Sequence, residues 1–249
     1  MFYILTHRRP SKAGIGRLGQ HYHGSRGVTD RLPNSPPPMG TNPKRPYTQH
    51  MSDLLDTLRD DHETPLSRLG SSKALYAVTG GEMEGDAVRA AAAAEADAAA
   101  DLFDWWADDE PNDEAAALFS DLADTAREHA DTVDSEPSGD EPNVYDVLAE
   151  FESTDGRLGG ALARALVSLK TVEQMVGFFV GDADPMTAST FRTLKSDLND
   201  QLDIIEDAID DLVEDEAVAR EAADAVVEAA YDEYVETLEG MGIKPKNVC

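Results

Sequence analysis

A single cysteine, Cys249, stands at the last position, so the chain can form no internal disulfide and no thiolate metal cluster. Such sparing use fits a reducing, cytoplasmic compartment. Long hydrophobic runs are missing too. The best candidate, 176–180, is far shorter than the roughly 18 residues a membrane helix needs, and Gly181 and Asp182 follow it. A soluble protein with no membrane partner is expected. Aromatic residues make up only 6% of the chain while hydrophobic residues reach 41%, many of them alanine, which points to helices packed closely through small side chains. After residue 50 no stretch alternates apolar and polar residues long enough to make a strand, which leaves an all-α fold.

Positive charge is also scarce. Of 21 Lys and Arg and 50 Asp and Glu, residues 1–50 hold eight bases and one acid, Asp30, leaving 13 bases and 49 acids to residues 51–249. The formal charges are +7 and −36 within a total of −29. A surface of the second kind repels nucleic acid and anionic membranes, so neither is an expected partner. Self-repulsion would strain a compact state in dilute buffer, whereas molar salt, with a Debye length of roughly 3 Å, screens it. The acids are interleaved with helical apolar periodicity instead of gathered in blocks. That is the pattern of a folded protein adapted to a salt-filled cytoplasm, not of an acidic disordered tail.

Residues 1–50 form a different kind of sequence, basic and rich in Pro, Gly and Arg, with four of the six histidines: His7, His21, His23 and His50. The prolines of 33–46 exclude a helix or a ladder strand there. Residues 14–19 match G-x-G-x-x-G, but no amphipathic helix follows and no acid lies about 20 residues on, as a dinucleotide site requires. His21 and His23 lack a third ligand, and the apolar 1–5 is too short for a signal-peptide core. The expectation is a disordered basic extension over 1–50, with translation starting at Met51 and a helical domain over 51–249.

Five helices are expected after a short lead-in over 52–79. The first, about 84–108, turns Val88, Ala92, Glu95, Ala99, Leu102 and Trp106 to one face. Asn112 caps the second, about 113–133, with Ala115, Leu118, Leu122, Ala126, His129 and Val133 inward. After the loop 135–142, Asn143 caps a short helix to 151. A third long helix, about 157–180, carries Leu162, Leu166, Leu169, Glu173, Val176 and Val180. Asp184 and Pro185 open a fourth with Phe191, Leu194, Leu198, Gln201, Ile205, Ile209 and Leu212. The last runs to about 239 and is expected to pack across an antiparallel bundle of the other four.

Glu95, His129 and Glu173 interrupt otherwise apolar faces. A buried carboxylate or imidazole is costly unless paired, hydrogen-bonded or bound to a metal, so the three are expected to converge. Residues 91–107, AAAAEADAAADLFDWWA, and 118–133, LFSDLADTAREHADTV, resemble the first half of a rubrerythrin-type, ferritin-like bundle. The segments EQMVGFFVGDADP and YVETLEGMGIKPKNVC are similar to haloarchaeal proteins grouped with rubrerythrins. The resemblance implies a ferritin-like antiparallel four-helix bundle with an additional C-terminal helix. It also implies a centre of iron or manganese, in which Glu95, His129 and Glu173 would be metal ligands.

The sequence departs from that pattern where Ala126 replaces the Glu three before His129, where the fourth helix lacks Glu-x-x-His, and where the terminal Cys-x-x-Cys of full rubrerythrins is missing. The expected function is therefore a rubrerythrin-family bundle with a vestigial or single-metal site in place of a di-iron oxidoreductase centre. The alternative is a non-metal helical partner-binding or chaperone-like protein, using 105–106 or 178–179. A homodimer is the assembly expected, and no physiological partner is indicated.

Overall fold

Four of the five long helices start at a polar side chain that accepts hydrogen bonds the first-turn N–H groups otherwise lack. Asn112 takes those of Glu114 and Ala115 at 2.9 and 3.1 Å, and Ser153 that of Gly156 at 3.1 Å. Asp184 takes that of Thr187 at 3.0 Å and Asp215 that of Ala217 at 3.0 Å. The computed structural model describes residues 54–137 and 142–245, all within one unit. The helices are α1 (Leu54–Asp61), α2 (Glu63–Leu69), α3 (Ser72–Val78), α4 (Gly85–Asp109), α5 (Asp113–Val133), α6 (Val144–Leu148), α7 (Thr154–Gly181), α8 (Pro185–Leu212) and α9 (Glu216–Gly240). The described residues contain no strand, and none of their helices is long and apolar enough to cross a membrane. Residues 1–53, with the G-x-G-x-x-G and histidine matches and the expected start at Met51, lie outside the described residues.

α4 and α5 pair antiparallel, locked by the rings of Phe103, Trp106 and Phe119, with Trp106 and Phe119 edge to face at 5.2 Å. α7 and α8 pair the same way, with Phe179 stacked on Phe191 at 5.1 Å. Gly85 at the start of α4 faces Phe179 at the end of α7, while Asp109 at the end of α4 meets Arg157 at the start of α7. Those two helices therefore run oppositely, and α5 and α7 run the same way. Residues 134–153, carrying α6, return the chain from one end of the bundle to the other.

α9 lies alongside α7, not across the bundle as expected. A Cβ added at Gly159 would stand 2.0 Å from the Ala219 carbonyl oxygen, so the two backbones touch where only glycine fits. Further along, Leu69, Ala74, Ala77, Ala230, Tyr234 and Leu238 bury one another, placing α2 and α3 over the same helix. Residues 54–78 of the lead-in are thus a cap of three short helices on α7 and α9. Residues 156–166 of α7 are buried without interruption, which makes α7 the central helix.

Arg157 pins one end of the bundle. Its guanidinium is 1% exposed, pairs with Glu110 Oε2 at 3.0 Å and Asp109 Oδ2 at 2.5 Å, and donates through Nε to the Phe151 carbonyl at 3.1 Å. Glu110 Oε1 accepts from Thr154 Oγ1 at 2.6 Å and from the Asn112 N–H at 3.2 Å. Trp105 and Trp106 flank the cation at 5.8 and 6.0 Å.

Candidate functional site

α4, α7 and α6 bring a second arginine to a carboxylate midway along the bundle. Arg164, buried on α7, pairs through Nη2 with Glu95 Oε1 of α4 at 3.0 Å and donates through Nε to the Tyr145 hydroxyl of α6 at 3.1 Å. Tyr145 in turn donates to the Glu95 backbone carbonyl at 3.2 Å. Ser168, one turn beyond Arg164, donates to Glu95 Oε1 at 2.5 Å. The Arg164 guanidinium also sits 5.7 Å from the Phe103 ring. Burial pushes the Tyr145 hydroxyl well above its ordinary pKa, so it stays a neutral donor.

The cluster borders a cavity of about 380 Å³. Its wall includes Ala92, Glu95 and Ala96 of α4, His129 of α5, Arg164, Ser168 and Val172 of α7, Leu194 and Leu198 of α8, and Glu233 and Thr237 of α9. Glu233 accepts the Asn143 backbone N–H, and burial, then the neighbouring charges of Glu95 and Glu236, raise its pKa. Asn143 also serves α6 by its main chain, its carbonyl accepting the Asp146 N–H at 3.1 Å. Its side chain makes no capping bond, and the helix ends at Leu148, short of the expected 151.

His129 is buried as expected from its seam. Its Nε2 lies 3.2 Å from Asp197 Oδ2 of α8. Burial lowers its pKa, the Asp197 bond opposes this, and the positive charge of Arg164 adds to the lowering. A neutral ring facing an ionised carboxylate carries its proton on Nε2, because the carboxylate can only accept.

Of the three expected ligands, Glu95 and His129 reach the same cavity and Glu173 does not line it. Glu173 pairs with Lys195 of α8 at 2.9 Å and Lys170 at 3.8 Å, and it is part-exposed. The row chosen through Leu162, Leu166 and Leu169 leaves the core beyond it: Val176 is only partly buried and Val180 is 54% exposed. The row that stays inside is Val172, Met175 and Phe179. The row averages about 3.6 residues per turn and so keeps to one face of a straight helix; it is the covering that changes, from every side over 156–166 to only the side bearing Val172, Met175 and Phe179 beyond.

These residues do not fit a metal centre. Glu95 Oε1 is engaged by Arg164 and Ser168, His129 Nε2 by Asp197, and Glu173 by lysines. A guanidinium, which stays charged in proteins, occupies the neighbourhood where a dication would need anionic ligands. Among the described residues no group of three or more His, Cys, Asp or Glu could hold a metal ion.

Arg164, Tyr145, Ser168 and Glu233 were not singled out by the sequence. Arg164 carried a usable signal, a lone cation inside the apolar GGALARALVSL, open to the same burial argument as Glu95. Gln201 of the fourth seam is buried, and its Oε1 accepts no hydrogen bond from a described donor. Of the aromatic pairs expected as a docking surface, Trp106 and Phe179 are core residues, and Trp105 flanks Arg157 while 45% exposed. Comparison with protein-family models, with curated proteins and with solved structures finds no match to this chain.

Proposed function

We propose that the chain is a ferritin-like bundle of rubrerythrin type in which a fixed guanidinium has taken the metal's place, leaving a cavity that binds a small molecule. Two antiparallel hairpins joined by one long connection, 134–153, support the first part, since ferritin-like bundles have a single long crossover. The Arg164–Glu95 pair on the cavity wall carries the second part. Arginine supplies the positive charge that Glu95 needs in a poorly solvated place, and does so without an exchangeable ion. The cavity volume falls within the roughly 300–1,000 Å³ of small-molecule sites, and few polar groups converge on an apolar wall. The acid excess is read as adaptation to a salt-filled cytoplasm.

Metal loading tests this reading. The protein is incubated with iron(II) or manganese(II) in molar potassium chloride without oxygen, desalted into the same salt, and assayed for metal. The expected content is far below one ion per chain. About one iron or manganese per chain, lost in Glu95→Gln, would overturn the proposal.

A further inference from the structure

The cavity wall is charged unevenly. Val78 and Gly80 on its rim are exposed, so the cavity opens to solvent near the end of α3, while Val172, Leu194 and Leu198 close it with hydrocarbon. The wall bears two carboxylates, Glu95 and Glu233, and one arginine, Arg164, which is already committed to Glu95. Glu233 accepts one backbone N–H, and no lysine or arginine among the described residues is paired with it. One half-buried carboxylate is therefore left without a counter-charge beside an apolar chamber.

We infer that the cavity takes a small organic cation, an alkylammonium, with its ammonium on the Glu233 carboxylate and its hydrocarbon among the alanine, valine and leucine side chains. This inference rests on the metal-free reading of the same cavity. An ammonium donates up to three hydrogen bonds, and Glu233 has acceptor sites to spare beyond the Asn143 N–H. Burial and the negative charge of Glu95 hold the Glu233 carboxyl above its ordinary range, as for an acid that lacks a cation. An organic anion would face two carboxylates and an arginine whose charge is already matched. An uncharged alcohol would gain the hydrocarbon contacts but leave Glu233 unpaired.

The test titrates the full chain in molar potassium chloride with hexylammonium, hexanol and hexanoate by calorimetry, and repeats it with butylammonium. Hexylammonium is expected to bind about tenfold or more tighter than hexanol or hexanoate, the scale of a hydrogen bond to a charged group. It is also expected to bind about fourfold tighter per added methylene than butylammonium. In Glu233→Gln, hexylammonium should fall to the affinity of hexanol, with circular dichroism unchanged. If that variant unfolds, the ranking of the three probes on the wild-type chain decides alone. Hexanoate binding as tightly as hexylammonium, hexanol matching it on the wild-type chain, or no probe binding would each overturn the inference. Stoichiometric metal in the loading experiment would instead remove the reading beneath it, so the two failures are distinct.

Discussion

Two arginines on α7, two turns apart, answer the same problem differently. Arg157 and Arg164 are both buried and both paired to a glutamate, Glu110 at the C-terminal cap of α4 and Glu95 within it. The Glu110 side chain is fully buried and receives bonds on both oxygens, from Arg157, Thr154 and Asn112. The Glu95 side chain is 28% exposed and borders the cavity. A fully buried ion pair with bonds on both carboxylate oxygens, and tryptophans around it, is a structural pin. One that keeps accessible surface beside open space has capacity for a further partner. The lesson is that burial of an arginine does not assign its role; the remaining bonding capacity of its carboxylate does.

Unfolding in molar potassium chloride should separate the two most clearly. Arg157→Leu strands the Glu110 carboxylate in the core and is expected to cost about 3–5 kcal/mol, the range for breaking one side of a buried pair. Urea titration followed by circular dichroism measures it, and a loss no greater than that of Arg164→Leu would break the comparison. Gly159→Ala is next. Its methyl group meets the Ala219 backbone and not a flexible side chain, so about 1–3 kcal/mol should be lost. Gly177→Ala, with nothing within 4 Å of the added carbon, should instead stabilise by about 0.5–1 kcal/mol. Arg164→Leu is expected to cost about 1–2 kcal/mol, because Glu95 can regain water through the cavity. Adding Glu95→Leu should recover most of that loss, since an ion pair replaced whole by apolar groups is often neutral.

The smallest effects are titrations of the cavity wall. His129 has a lowered pKa in the folded chain, so the unfolded state binds more protons between that value and about 6.5. Its contribution is complete above about 6.5 and is lost as pH falls through the window. Glu233 has a raised pKa, so the folded state holds the extra proton and stability declines as pH rises from about 4.3 through the raised value. Melting temperature against pH should show slopes of opposite sign in the two windows. His129→Leu should remove the first slope, and Glu233→Gln the second.

The long helices were legible because their caps and stops are local. Asn112 and Asp184 sit beside the bonds they make, and α5 begins and ends at the expected residues, whereas the cap Ser153 starts α7 three residues before the expected 157 and Asp215 is a cap not expected from the sequence. The phase of α7 was not legible. A helix buried on every side from 156 to 166 has no polar face to set its orientation, so the row through Leu162 and Leu166 continues on the sequence past the point where only the Val172, Met175 and Phe179 side stays covered, carrying Glu173 into the expected site. The direction of α5 relative to α7 depends on how 134–153 returns the chain, which no periodicity encodes. Glu95 and His129 were found because a polar residue on an apolar stripe is visible in one helix. Glu233 was missed because α9 is acidic on much of its surface, and only the meeting of α9 with α6 and α4 makes one acid unlike the others.

The central claim is that the Arg164 guanidinium stands where a metal would. Nitrogen-edited NMR of the arginine Nε–H groups in molar potassium chloride tests it most directly, with manganese(II), a paramagnetic ion, added in steps. The account predicts protected Nε–H signals for Arg157 and Arg164, a shift of the Arg164 signal alone in Glu95→Gln, and no broadening of Arg164 beyond that of surface arginines such as Arg59 and Arg220. Selective broadening of the Arg164 signal at about one manganese per chain would contradict it.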